Sequence, residues 1–216
     1  MFGTRILLLI PHPDDEVVGC AAAVGRAHAL GARVFCVYLT DGVPDRETLW
    51  PWQRARRPVR VERRFAEARS VRKALGMEAL AVHQIPTRTL RLHMAETHAL
   101  IAEALDRSGA DMLWTPAYEG GHQDHDVTNF LASRFAPQVP VWEFAEYNFA
   151  GQRVRSQEFT SLRGGERHLA LSDIERHRKR QLLAAYRSEK ANLRHVGTGH
   201  EAFRPLPDYD YGGPPH

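Results

Sequence analysis

Residues 6–16 read Ile6-Leu7-Leu8-Leu9-Ile10-Pro11-His12-Pro13-Asp14-Asp15-Glu16, and this stretch decides the fold. A short apolar run that ends at a turn signal predicts a strand buried on both faces. Strands of that kind belong to parallel sheets covered by helices. The run stops at a polar, proline-rich turn. Residues 17–30 follow, rich in alanine and closed by Gly31. They predict a helix with a glycine stop.

The same alternation continues downstream. Residues 34–39 predict a second buried strand, ending at Thr40-Asp41-Gly42. Residues 43–58 read as a loop carrying Trp50-Pro51-Trp52. Val61, Phe65, Ala68, Val71 and Leu75 recur at helical spacing, and Gly76 ends that helix. Residues 79–85 predict a third strand. Leu90, Met94, Ile101 and Leu105 mark a helix that ends near Gly109. A fourth strand over 112–115 precedes a loop rich in glycine and histidine and a helix to about Phe135. Residues 139–144 form a fifth strand candidate, weakened by Pro140. Ser172-Asp173-Ile174-Glu175 is a capping box that opens a last helix to about Tyr186. Residues 205–216 are expected to be an irregular tail. Strands alternating with helices imply right-handed βαβ units. The expected fold is α/β, three-layer and Rossmann-like, a mostly parallel sheet with helices on both faces. No internal repeat or linker divides the chain, so residues 1–216 are expected to form a single domain.

Composition narrows the class. Hydrophobic residues make up 43% and charged residues 25% of the 216. This is close to the globular norm and excludes a disordered, collagenous or coiled-coil chain. Two cysteines, Cys20 and Cys36, exclude a disulfide framework and a four-cysteine zinc site. A membrane span needs about 20 apolar residues, and the polar turn after Ile10 is no signal cleavage site. The cytoplasm is therefore the expected location. The net charge is +3, and the 12 histidines are the unusual count. Histidine is the commonest metal ligand and the usual acid or base near neutrality.

In open α/β sheets ligands bind beyond the carboxyl ends of the strands. The polar clusters fall there: His12, Asp14 and Asp15 after the first strand, Asp41 after the second, His122, Asp124 and His125 after the fourth. Alone, the His12–Glu16 segment serves equally well as a polar turn with a helix N-cap. Alone, the segment 120–126 serves equally well as a solvated loop with one capping aspartate. Together they occupy the ends of strands that can be neighbours. They offer His12, Asp15 and His125, nitrogen and oxygen donors suited to Zn2+ and compatible with other divalent metals. Three protein ligands and one open position is the catalytic zinc arrangement.

Pro11-His12-Pro13-Asp14-Asp15-Glu16 followed by His122-x-Asp124-His125 resembles the PIG-L/LmbE-like zinc-dependent N-deacetylases. Weaker matches extend over residues 5–204: Leu39 to Gly42, Arg64-x-x-Glu67, Lys179 through Tyr186-Arg187-Ser188, and Glu201-Ala202-Phe203. The resemblance implies a hydrolase that removes acetyl from an N-acetylglucosamine-type sugar or related small molecule. It implies His12, Asp15 and His125 as zinc ligands and Asp14 as the base that takes a proton from water. It also implies His122 as the oxyanion partner, held by Asp124. Gln123 stands where proline is common, Leu182 at an alanine position, Glu189 at a glutamine position, and Gly120 where some members carry tyrosine. Tyr118 and Tyr147 are candidates for the missing phenol.

Asp41 and Arg64 are candidate substrate contacts. The segment 54–73 holds nine Lys/Arg and two Glu. It reads as a solvated helix face or as a surface for an anionic substrate. No nucleic-acid motif accompanies it, so a small molecule is the expected partner, and homo-oligomerisation stays open. Trp50 and Trp52 are candidates for stacking on a sugar ring or packing at a contact between copies. His195 and His200 lie near the resembling carboxyl-terminal segment. Two other functions compete. Asp124-His125-Asp126 also suits a metal phosphoesterase, and the basic segment suits a non-catalytic binding protein.

Overall fold

The computed structural model describes residues 1–213 and 215. In chain order the elements are β1 (Arg5–Ile10), α1 (Asp15–Val18), α2 (Ala21–Ala29), β2 (Arg33–Tyr38), α3 (Pro51–Arg54), α4 (Arg57–Leu75), β3 (Glu78–Val82), α5 (Met94–Ser108), β4 (Met112–Pro116), α6 (Gln123–Ser133), β5 (Val141–Phe144), β6 (Tyr147–Asn148), β7 (Arg155–Ser156), β8 (Arg167–Ala170), α7 (Asp173–Ala185) and β9 (His200–Pro205).

Seven strands form one sheet in the order β3-β2-β1-β4-β5-β9-β8. The first five run parallel. β9 is antiparallel to β5, and β8 is antiparallel to β9. The chain lays β2 and β3 on one side of β1, then returns to place β4 on the other. That reversal opens a crevice beyond the carboxyl ends of β1 and β4. Leu8 pairs with Trp114 in this register, so both polar clusters leave the sheet side by side.

The continuous apolar run explains the three layers. Ile6, Leu8 and Ile10 pack on one face with Val24 of α2, Val71 of α4 and Leu182 of α7. Leu7 and Leu9 pack on the other with Ile101 of α5 and Leu131 of α6. Alternate side chains point to opposite faces, so a strand covered on both sides must be apolar throughout.

Three local features depart from the sequence expectation, and the fifth strand forms where it was expected. The helix expected over 17–30 is broken between α1 and α2. A Cβ on Gly19 would lie 2.1 Å from Phe144 Cδ2, so this glycine admits the phenyl ring. Lys179 Nζ donates to the freed Val18 carbonyl at 2.8 Å. β5 forms despite Pro140, because the proline stands one residue outside it and its carbonyl accepts from Leu113 at 3.0 Å. The loop expected over 43–58 contains α3 and the start of α4. The antiparallel strands β6 to β9 were not anticipated. The capping box at Ser172 and Glu175 is present at the start of α7. Residues 206–213 are irregular; the expected tail also includes Pro214 and His216, which lie outside the described residues. Among the described residues no helix is long and apolar enough to cross a membrane.

Candidate metal centre

The turn after β1 brings its donors together by local hydrogen bonding. The His12 amide donates to Asp15 Oδ2 at 2.7 Å, and the Asp15 amide donates to the His12 carbonyl at 3.1 Å. These two bonds hold both side chains on one side of the turn. Asp14 between them takes φ 136°, a region that costs a non-glycine residue about 1–3 kcal/mol and recurs at functional sites. Its amide donates to Glu16 Oε2 at 3.1 Å, and Glu16 also accepts from the Tyr186 hydroxyl.

His125 enters from α6. Its Nε2 lies 3.2 Å from His12 Nδ1 and 3.4 Å from Asp15 Oδ2. His12 Nδ1 lies 3.2 Å from Asp15 Oδ2. The three donor atoms thus form a nearly equilateral triangle. Zinc bonds of about 2.0–2.1 Å at tetrahedral angles place neighbouring donors about 3.3 Å apart. The triangle matches one face of such a tetrahedron, so the residues fit the ion. All three are buried. The surroundings also favour positive charge. Burial pulls the His12 pKa down, but Asp15 and Asp124 outweigh it and lift it to about 10. Burial raises Asp15, but His125 and His12 outweigh it and hold its carboxyl well below the usual range.

Asp124 serves a different histidine from the one expected. Its Oδ2 lies 3.0 Å from His12 Nε2 and accepts from Thr87 Oγ1 at 2.9 Å and the Arg88 amide at 2.6 Å. His122 Nδ1 stands 3.7 Å from that oxygen. It accepts instead from the Asp124 backbone amide at 3.1 Å, because His122 is the N-cap of α6. The expectation that the Asp124 side chain holds His122 is corrected accordingly. The N-cap bond fixes the neutral tautomer, leaving the His122 proton on Nε2. Burial, with His12 and His125 close by, lowers the His122 pKa to about 3.

Asp14 lines the same crevice. Its Oδ2 is 3.4 Å from Arg64 Nη1. Burial drives its pKa up to about 7, with Arg64 opposing and Asp15 reinforcing. Arg64 projects from α4, is 3% exposed, and makes its closer ion pair with Glu189 at 2.6 Å. A Cβ on Gly42 would lie 2.5 Å from Arg64 Nη2, so glycine there makes room for the guanidinium.

A cleft of about 730 Å³ opens over this cluster, lined by His12, Asp14, Arg64, Arg88, His122 and Tyr147 among others. His195 also lines it and packs edge-on against Tyr147. The remaining candidates lie elsewhere. Asp41 accepts from Arg57 at 2.6 Å and from the Val43 amide at 2.8 Å; it is 1% exposed. Its carboxylate supports the loop and does not line the cleft, which corrects its expected substrate contact. Tyr118 donates to the Gly213 carbonyl at 2.6 Å and packs against Tyr209 and Tyr211, so Tyr147 is the tyrosine near the cluster. Trp50 and Trp52 stack on one another at 5.2 Å, exposed and outside the cleft. His200 Nε2 sits 2.9 Å from the Gln157 carbonyl.

Sequence reasoning missed Thr87 and Glu146. Thr87 Oγ1 touches both His12 and Asp124. Glu146, just beyond β5, is 1% exposed beside His125 and Asp15. Position at a strand end was the signal that could have found Glu146.

With this geometry in place, the chain can be set beside known proteins. Residues 7–136 match the family described as PIG-L: GlcNAc-PI de-N-acetylase. The chain belongs to this family. It is 31% identical over 174 residues to the 2'-N-acetylparomamine deacetylase of Streptomyces fradiae, covering 69% of this chain and 59% of that protein. The chain therefore spans about three fifths of the length of that relative. Its fold matches a deacetylase of the teicoplanin biosynthesis pathway with TM-score 0.72 at 18% identity, covering 94% and 97% of the two chains. It also matches a 4-carboxy-2-hydroxymuconate hydratase from Pseudomonas putida with TM-score 0.64 at 12% identity, covering 95% and 98%. At such identities the likeness is one of fold, and the PIG-L fold carries more than one chemistry.

Proposed function

We propose that this PIG-L family member is a zinc-dependent N-deacetylase that hydrolyses the acetamide of an N-acetylated amino sugar or related small molecule. The observation that carries this is the triangle of His12, Asp15 and His125 donors beside the buried, strained Asp14. Bound there, zinc would lower the pKa of water toward about 7 and polarise the amide carbonyl.

The chain's own residues supply the rest. An amide is a poor electrophile with a poor leaving group, so it needs a base, an oxyanion partner and a proton donor. Asp14, with a pKa of about 7, can take a proton from water and return it to the leaving nitrogen. Arg64 fixes the position of that carboxylate. His122 stays neutral at pH 7 because its pKa is held near 3. Its Nε2–H is free to donate where negative charge develops on the amide oxygen. Asp124 and Thr87 orient His12 from behind. A cleft of about 730 Å³ is of the size that holds small molecules. The relative's named substrate, 2'-N-acetylparomamine, carries the N-acetyl group that this reaction removes.

The test is a panel of N-acetylated amino sugars incubated with the zinc-loaded protein. Free amine and acetate are measured together. Equal release of both supports the reading. Release of neither from any member of the panel, with zinc bound, refutes it. Two metal ions per chain with phosphate ester cleavage would favour the phosphoesterase instead.

A further inference from the structure

Glu146 presents a buried carboxylate that the reaction just described does not use. It is 1% exposed, and among the described residues neither carboxylate oxygen has a hydrogen-bond partner. Buried polar groups are almost always paired, and each exception calls for an explanation. Glu119 next to it differs: its carboxylate accepts from the Glu146 amide at 2.9 Å and from Asn148 at 3.1 Å. The Glu146 carboxylate thus has no donor where Glu119 has two, and it lies close to the Asp15 carboxylate.

Its surroundings supply the explanation. Glu146 Oε2 lies 3.8 Å from His125 Nδ1. Donor atoms of Asp15, His125 and Glu146 all lie within 4.8 Å of one another. The other nitrogen of the same ring, Nε2, faces His12 and Asp15. His125 therefore turns Nε2 to the ligand triangle and Nδ1 toward the Glu146 carboxylate, which also lies close to Asp15. Shortening that 3.8 Å separation to about 3 Å would make a hydrogen bond. A metal-bound histidine usually gives its second ring proton to a carboxylate, carbonyl or water, which fixes the tautomer and the ring plane.

We propose that Glu146 is the positioning residue of His125, accepting its Nδ1 proton and so turning the Nε2 lone pair toward His12 and Asp15. This rests on the proposal that His125 is a metal ligand. Either an ionised or a neutral carboxyl offers an oxygen acceptor, so the role does not depend on the charge of Glu146. The Asp124 carboxylate does the same for His12 from the opposite side. Both histidines of the triangle would then be held from behind by a buried acid.

Two measurements test it. The first uses the metal-free wild-type chain labelled with 15N-histidine at pH 8. Ring nitrogen shifts are expected to show His125 as the Nδ1–H tautomer; an Nε2–H tautomer overturns the proposal. This needs neither zinc nor turnover, so it stands apart from the deacetylase reading. The second compares zinc affinity, by chelator competition, in Glu146→Leu and Glu146→Gln. The leucine variant removes the acceptor and is expected to bind zinc about 10–100-fold more weakly. Glutamine keeps an oxygen acceptor and is expected to restore affinity to within about 3-fold. Affinity unchanged in Glu146→Leu, or lost equally in both variants while both fold, overturns it. A wild-type chain that binds no zinc refutes the metal reading and leaves the tautomer result to decide this one.

Discussion

Substituting Asp124 separates two accounts of the centre. If Asp124 held His122, Asp124→Asn would slow turnover and leave metal affinity alone. In the structure its Oδ2 instead collects His12 Nε2, Thr87 Oγ1 and the Arg88 amide within 3.0 Å. Asparagine preserves the shape and one oxygen acceptor but removes the charge behind His12. Losing such a partner weakens metal binding about 10–100-fold, which is roughly 1.4–2.7 kcal/mol. Asp124→Ala goes further and leaves buried donors without an acceptor. Breaking a buried charged network costs about 3–5 kcal/mol. For a chain of this length that lowers Tm by roughly 6–20 °C. Chelator competition reads the first effect and thermal unfolding of the metal-free chain reads the second. Zinc affinity of Asp124→Asn within about 3-fold of wild type, with turnover impaired, would refute the reasoning and return Asp124 to His122.

Further outcomes follow from the same geometry. His122→Ala should lower kcat by about 10²–10³, the cost of one oxyanion donor, with zinc content unchanged by metal analysis. A Cβ on Gly121 would lie 2.2 Å from the Tyr147 carbonyl oxygen, so Gly121→Ala should destabilise the chain by about 1–3 kcal/mol in urea unfolding. Lys179 is buried and donates to Glu201 and the Val18 carbonyl at 2.8 Å each; Lys179→Met should cost about 3–5 kcal/mol by the same measurement. Glu175 pairs with Arg26 at 2.7 Å, and that hydrogen bond lowers its pKa from 4.5 to about 2. A depressed carboxyl contributes stability above its unfolded pKa and loses it as pH falls through the folded one. Glu175→Gln should thus destabilise by at most about 1 kcal/mol at pH 7, and the difference should shrink between about pH 4.5 and pH 2.

Much of this was legible in the sequence because the relevant interactions are local or periodic. The apolar run 6–10 declared a doubly covered strand, and the polar clusters fell at strand ends, where an open α/β sheet binds ligands. His12 and Asp15 face one another through bonds inside a single turn. What was hidden depends on partners far along the chain. The break at Gly19 exists because Phe144 needs the space. Asp41 reads as a cleft residue until Arg57, the first residue of α4, claims it. Glu146 carries no motif and gains its place only when β5 lies beside β4. β8 has four residues, is mostly exposed and is separated from β9 by α7, so alternation gave no signal.

The central claim is that Asp14 moves the proton while His12, Asp15 and His125 hold the metal. Zinc content and amide turnover, measured on the same preparations of wild type and Asp14→Ala, test it most directly. The account predicts one zinc per chain in both, with turnover reduced at least about 10²–10⁴-fold in the variant. Full turnover in Asp14→Ala with zinc bound would contradict it.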